Sequence, residues 1–370
     1  MSLVLLLACT TSAPPEPPPS EPVDAEHPGH WTRRDNLNFG HAEFSLVPTD
    51  AGVVIFGGYS NKAERWDPES GQSLRLDDAP AELLGAVGLP FAGGALYLGG
   101  RRPQGKFAGE SLAWSPETGW STLPALSTPR SEAVGTVLDG KALVCGGQGV
   151  DGPLASCEWF DGSVSSPAPE MPGPRAGAVA VRSGEDWILV GGTGPSPLPL
   201  YRFHKGAWES WGELDAALTL HAAVAVDGGV LVIGGKDAEG ARSKVLFCDG
   251  TCKEVAPLNE ARAGLGAGLL GDGRVVAFGG EALPENPDAL PLRSTELRTL
   301  EGTWELGEKA GQARTGAVAL PLEDGTLLVV GGESRSKSIT AISTFSPEDK
   351  PPRTPQAQPE PAPVETPTSP

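Results

Sequence analysis

Leu327-Leu328-Val329-Val330-Gly331-Gly332 is a short apolar run closed by two glycines. The same unit stands at Val53–Gly58, Ala95–Gly100, Ala142–Gly147, Trp187–Gly192, Val230–Gly235 and Val275–Gly280. First glycines fall at 57, 99, 146, 191, 234, 279 and 331, in steps of 42, 47, 45, 43, 45 and 52 residues. A fixed period in this range marks a repeat architecture, in which each unit hides its apolar faces against its neighbours.

The flanks repeat as well. In the copy around residues 175–211, a strand of small residues (Gly177–Val181, strand A) is followed by a turn and then by Trp187–Val190 (strand B). A variable loop leads to Leu200–Phe203 (strand C), and Lys205-Gly206-Ala207-Trp208 turns the chain into strand D. Strand A recurs at Ala133–Gly135, Ala222–Val226 and Gly316–Leu320. Asp139-Gly140, Asp227-Gly228, Asp272-Gly273 and Asp324-Gly325 precede strand B, and Asp-Gly suits a tight hairpin turn. Strand C carries Trp66, Trp114, Trp159, Tyr201, Phe247 or Phe345, and strand D opens on Trp120, Trp208 or Trp304. Small residues fit the narrow axis of a ring of such units, and aromatics fill the wider outer gaps.

Glycine doublets after an apolar strand, an aromatic in strand C and a tryptophan opening strand D resemble the kelch family of β-propellers over residues 29–346. WD40 repeats expect Trp-Asp at the end of strand C, and only Trp66-Asp67 has that form. The resemblance implies an all-β fold, a seven-bladed propeller of four-stranded antiparallel blades. The last copy ends at Phe345 without a strand D, whereas Gly29-His30-Trp31 has the form that opens one. The N-terminal strand is therefore expected to complete the last blade and leave no open sheet edge.

Outside the repeats, Leu3–Ala8 is an apolar run too short to span a bilayer. Leu6-Leu7-Ala8-Cys9 resembles a bacterial lipobox, which makes Cys9 the expected lipidation site and residues 1–8 the signal segment. Residues 9–28 are rich in proline and acid and read as a tether, and residues 347–370, with nine prolines and no aromatic, read as a disordered tail. The expected location is the bacterial cell envelope, as an outer-membrane or cell-surface lipoprotein. Four further cysteines form two local sets. Cys145 ends strand B and Cys157 starts strand C, while Cys248 and Cys252 flank the turn Asp249-Gly250-Thr251. Both sets are expected to be disulfides, in keeping with export.

The chain has 370 residues, 28 Lys and Arg against 47 Asp and Glu, and a formal charge of −19. That balance disfavours nucleic acid and anionic lipid surfaces as bulk partners. Gly147-Gln148-Gly149-Val150-Asp151-Gly152 matches a nucleotide-loop pattern, but Pro153 forbids the helix that should follow, so it reads as a B–C loop. Copper radical oxidases of this family need two tyrosines, one of them crosslinked to a cysteine, and two histidines. The three tyrosines and five histidines here suggest no such set. No cofactor or metal is expected.

Arg130, Arg175, Arg262 and Arg314 precede their doublets by 16, 16, 17 and 17 residues, and His41 precedes Gly57 by 16. Alignment by strand A puts Leu83 and Leu220 at this place in the second and fifth copies, with His221 beside the latter. In kelch proteins this position and the B–C loops, here with Lys62, Arg101, Arg102, Lys106, Lys236 and Arg335, surround one mouth of the central channel. A basic mouth on an acidic body predicts an anionic ligand, an acidic peptide or an acidic carbohydrate, bound by a monomeric interaction protein. The rival is a carbohydrate-active enzyme of the sialic-acid mutarotase type, and the bland reading pairs each arginine with a neighbouring carboxylate or with carbonyls.

Overall fold

The structure, a computed structural model, describes residues 28–194, 198–286, 288–335 and 337–347. Cys9, the tether and the tail lie outside them. Seven four-stranded antiparallel sheets form the blades. Their first strands are Phe44–Thr49, Val87–Phe91, Val134–Leu138, Val179–Ser183, Ala222–Val226, Gly266–Leu269 and Val318–Pro321. Each touches the next, and the seventh touches the first, so these strands A line the axis of a closed ring.

The glycine doublets set the spacing. Both glycines of every doublet have positive φ. A Cβ on Gly99 would stand 2.5 Å from the carbonyl oxygen of Arg130 in the next blade, and one on Gly147 would stand 2.5 Å from that of Ser131 in its own blade. The second glycine then donates its N–H across the interface, as in Gly100 to Arg130 (2.7 Å) and Gly147 to Arg175 (2.7 Å). Only glycine combines that conformation with that approach.

An apolar cluster fills each of the seven interfaces. Val47, Val54, Phe56, Tyr97 and Trp114 hold the first two blades together, and Ile55, Trp66, Leu328, Val330 and Ile342 join the first to the last. The register corrects three of the expected strand C aromatics. The residue facing the start of strand B is Trp66, Trp114, Phe160, Phe203, Cys248, Arg298 or Phe345. Trp159 and Phe247 are one residue out of step and Tyr201 two. Because side chains alternate along a strand, a one-residue slip turns Trp159 and Phe247 to the other face.

Ring closure follows the sequence reading. His30–Asn36 pairs antiparallel with Ala341–Ser346, with Trp31 opposite Phe345. Trp31 stacks edge-on against Phe345 and against Phe278 of the sixth blade, and its indole N–H donates to the Glu308 carbonyl at 3.0 Å. Trp120, Trp208 and Trp304 donate likewise to Asp77, Pro169 and Ala256, each in the linker leaving the preceding blade. The tryptophan that opens strand D is thus a clamp between blades, and Trp31 closes the ring with the same device. The Gly147–Gly152 segment is a small hairpin, Gln148–Gly149 against Gly152–Pro153.

Cys145–Cys157 and Cys248–Cys252 are disulfides, each joining residues directly opposite on neighbouring strands with Cα atoms 4.1 Å apart. Two outcomes are expected. Trp31→Ala should lower stability by about 3 kcal/mol in urea denaturation, and an unchanged midpoint would show that closure does not depend on this clamp. From loop length alone, losing the bridge that spans 12 residues should cost about 3 kcal/mol and losing the one that spans 4 about 2 kcal/mol. Double Cys→Ala variants of each pair measure both.

Candidate functional site

The B–C loops and the starts of strand A lie at one end of the ring. Just beneath that end, each blade places one residue before strand A next to the strand C residue that faces the third residue of strand B. In the third blade Arg130 Nη2 meets Glu158 Oε1 at 2.8 Å, and Arg130 Nη1 donates to the carbonyls of Gly146 and Ser156. In the sixth, Arg262 meets Glu296 at 2.7 Å and donates to the carbonyls of Gly279 and Ser294. In the first, His41 Nδ1 lies 3.1 Å from the Gly57 carbonyl and Nε2 lies 3.6 Å from Glu64.

The carboxylates also tie down the linker before strand A. Glu64 accepts from the N–H groups of Asn38 and Phe39, Glu158 from those of Ser127 and Thr128, and Glu296 from those of Asn259 and Glu260. Burial alone would raise Glu64, but the His41 ring beside it and hydrogen bonds from Asn38 and Ser73 outweigh it and hold the carboxyl at about 2. The second blade has Leu83 and Leu112 in the two places, both buried. The fifth has Leu218 and Leu246: Gly192 donates to the Leu218 carbonyl, so Leu218 and not Leu220 is the equivalent residue. In the fourth, Arg175 lies over the Tyr201 ring at 4.6 Å and donates to the Pro174 and Pro199 carbonyls.

This arrangement corrects the expectation that Arg130, Arg175, Arg262 and Arg314 offer themselves together to a ligand. All four are at most 3% exposed, as is His41. Their recurrence reflects a structural task performed once per blade. His221 is buried too, packed against Gly191, and burial pushes its pKa down to about 4. Arg101 and Arg102 do reach the surface, but Arg101 is paired with Glu43 at 2.6 Å and Arg102 with Glu110.

Above the buried layer are two rings that residue type alone did not single out. The inner ring holds Glu43, Gly85, Glu132, Gly177, Leu220, Gly264 and Gly316, all with positive φ. Backbone hydrogen bonds link Glu43 to Gly85, Glu132 and Gly177 in one arc and Leu220 to Gly264 and Gly316 in another. The second ring is the residue after each doublet: Tyr59, Arg101, Gln148, Thr193, Lys236, Glu281 and Glu333. Its signal in the sequence is position alone, one residue beyond each Gly-Gly. The two rings carry Glu43, Glu132, Glu281 and Glu333 against Arg101 and Lys236, so the expected basic mouth is mixed in charge. Burial, and then the neighbouring Glu333, raise the pKa of Glu281. Tyr59, Leu220, Val150 and Leu283 stand exposed on the same end. Among the described residues, no three His, Cys, Asp or Glu side chains are grouped as metal ligands.

No family model matches the chain. Curated relatives do. It is 23% identical over 146 residues to alpha-scruin of Limulus polyphemus, covering 35% of this chain and 16% of that protein. It is 25% identical over 205 residues to N-acetylneuraminate epimerase 1 of Escherichia coli O6:H1, covering 53% and 48%. It is 31% identical over 97 residues to kelch-like protein 41a of Danio rerio, covering 26% and 16%. The matches span under half the length of each of these relatives. A solved structure described as a novel fungal alcohol oxidase of the AA5 family, in complex with copper, superposes with TM-score 0.68 at 16% identity, over 86% of this chain and 76% of that one. That likeness is one of fold. The three relatives are kelch-repeat proteins, and together with the seven-bladed ring they identify the repeats of this chain as kelch repeats.

The buried groups make acid stability a test of this layer. His221 has an ordinary pKa of 6.5 and a folded value of about 4. Between those values the unfolded chain binds the proton and the folded chain does not, so stability falls as pH drops from 6.5 towards 4. The loss is at most about 3.5 kcal/mol. His221→Leu should flatten this window, because Leu265 holds the equivalent place in the sixth blade. The further loss as Glu64 protonates, between 4.5 and about 2, should remain. Parallel pH dependence of the two proteins in thermal melts would refute the assignment.

Proposed function

We propose that this chain is an extracytoplasmic kelch-repeat binding protein, held to a membrane through Cys9, that presents its B–C loop end to a protein partner. The observation that carries the reading is the contrast between layers. Beneath the mouth the blades repeat one scaffold, whereas directly above it seven equivalent positions carry Tyr, Arg, Gln, Thr, Lys, Glu and Glu. A surface whose seven equivalent positions carry six residue types, with exposed Tyr59, Val150, Leu220 and Leu283 among charges, suits recognition of another protein. An acidic carbohydrate is the weaker form of the reading, since Arg101 is already matched by Glu43 and Lys236 by Glu285. The two disulfides accord with an oxidising compartment. Cys9→Ala should abolish lipid labelling and release the protein from membranes.

A photo-crosslinking residue at position 59, compared with one at position 164 in the C–D turn at the other end of the ring, tests the face. A discrete adduct in intact cells from position 59 alone is expected. Adducts from neither position, or equally from both, would remove the reason for assigning this end.

A second reading rests on Glu281 and Glu333. These carboxylates stand at equivalent positions of adjacent blades, with Glu281 held more readily protonated, as an acid/base pair requires. The similarity to N-acetylneuraminate epimerase 1 makes a sugar epimerisation or mutarotation the reaction to assay. Catalysed interconversion of sialic-acid anomers by NMR, lost in Glu281→Gln, would favour this reading over the first.

A further inference from the structure

The buried base-and-acid layer is complete in six blades and incomplete in the seventh. Where a base stands before strand A, something in strand C answers it: Glu64 for His41, Glu158 for Arg130, Glu296 for Arg262 and the Tyr201 ring for Arg175. Where the base is a leucine, strand C has a leucine too, Leu112 or Leu246. Arg314 breaks the rule. Ser343 faces Val329 as Glu64 faces Ile55 and Glu296 faces Ala277, so a serine occupies the carboxylate's place. Ala341 likewise replaces the serine whose hydroxyl and carbonyl serve Arg130 and Arg262, at Ser156 and Ser294.

The Arg314 guanidinium is 3% exposed, and among the described residues its one hydrogen bond runs from Nη1 to the Gly331 carbonyl at 3.3 Å. Nε is unbonded in Arg175 and Arg262 as well, so the contrast lies in the terminal nitrogens. The linker shows the same vacancy of an acceptor. Residues three and two before the base donate their N–H groups to the carboxylate in the first, third and sixth blades. In the seventh these are Gly311 and Gln312, and no acceptor for them is present among the described residues. Both are exposed, and a Cβ built on Gly311 would meet nothing within 4 Å, so the linker side is open. Arg33 of the closing strand stands in register opposite Ser343 and adds a second cation on that side.

We propose that the seventh blade binds a small free carboxylate, of formate or acetate size, between the Arg314 guanidinium and the N–H groups of Gly311 and Gln312. The anion takes the place that the Glu158 and Glu296 side chains fill in their own blades, with the same donors: a guanidinium for bidentate contact and two backbone amides. Its size is limited to the difference between a glutamate and a serine side chain. The carboxylate group alone fills this place, which lies beneath the mouth and is independent of the function proposed there.

Thermal melts in sodium formate and sodium acetate, against sodium chloride at equal ionic strength, test the proposal in the full chain. A ligand that binds only the folded state raises the midpoint in a saturable way. The wild type should rise by several degrees in formate and show no matching rise in chloride. Ser343→Glu, which supplies the carboxylate within the chain, should start higher and lose the response to formate. Carbon-13 formate should show line broadening with the wild type and not with Ser343→Glu, a reading that does not depend on stability. Equal responses of the two proteins, equal effects of formate and chloride, or a lower midpoint for Ser343→Glu would each overturn it.

Discussion

Neighbouring blades meet backbone to backbone at the glycine doublets, and the rest of the ring is built around that contact. The second glycine donates to a carbonyl of the next blade, and the first brings its α-carbon within reach of the same carbonyl. The contact fixes the residue before strand A, because it is this residue's carbonyl that receives the bond. Its side chain must then run inward under the mouth, towards the strand C residue that faces the third residue of strand B. The positions of Arg130, Arg175, Arg262, Arg314 and His41 are thus consequences of the doublet. So are the two rings above them, which follow one residue after the doublet and two residues after the base.

A buried guanidinium is tolerated only where the charge is answered, and the blades answer it in different ways. Carboxylates that also accept two linker amides do so in the third and sixth, as Glu64 does beside His41 in the first, with the Tyr201 π face and two proline carbonyls in the fourth. In the fourth blade Pro172 occupies the first donor position of the linker and has no N–H, so a glutamate there would accept one linker amide fewer, that of Gly173 alone. The leucine pairs of the second and fifth blades fill the same volume without charge, an exchange that costs little because breaking a buried pair is expensive but replacing both members is not. What these pairs hold in common is the linker from one blade to the next, which is why a lone leucine or a lone arginine would be the costly state.

The ring could be read from the sequence because glycine at the doublets is dictated by sterics, whatever the function. Tryptophans opening strand D are legible for the same reason: Trp120, Trp208, Trp304 and Trp31 each supply a bulky ring with one donor, and that requirement marks the closing strand in the sequence. Register was less legible. Trp159 sits beside Phe160 and Phe247 beside Cys248, and composition does not say which of two neighbours faces the interface. The fifth blade misled for a related reason, since the linker to Leu218 is followed by an exposed Leu220 with positive φ, and two leucines two residues apart look alike. The candidate site failed differently. A search for residues that recur at one offset finds what every blade needs, and the arginines are that. Residues that distinguish one face from another are those that do not recur, such as Tyr59, Lys236 and Glu281, and a repeat alignment averages them away.

The loops bearing those residues are held more firmly than their length suggests. The Cys145–Cys157 bridge closes the base of the B–C loop of the third blade, within which the Gly147–Gly152 hairpin raises Val150 above the mouth. Similar hairpins stand in the fifth and seventh blades, Lys236–Asp237 against Gly240–Ala241 and Glu333–Ser334 against Lys337–Ser338. In the fifth, Arg242 is held by Asp237 at 3.3 Å and Asp215 at 3.0 Å at the foot of the hairpin. Alternate blades therefore present short hairpins rather than open coils, and those of the third and fifth are braced. Ordering a loop on binding costs conformational entropy, and a loop braced beforehand avoids that cost. The bracing would be wasted on a surface with nothing to recognise, and it falls on the end of the ring where the side chains differ from blade to blade.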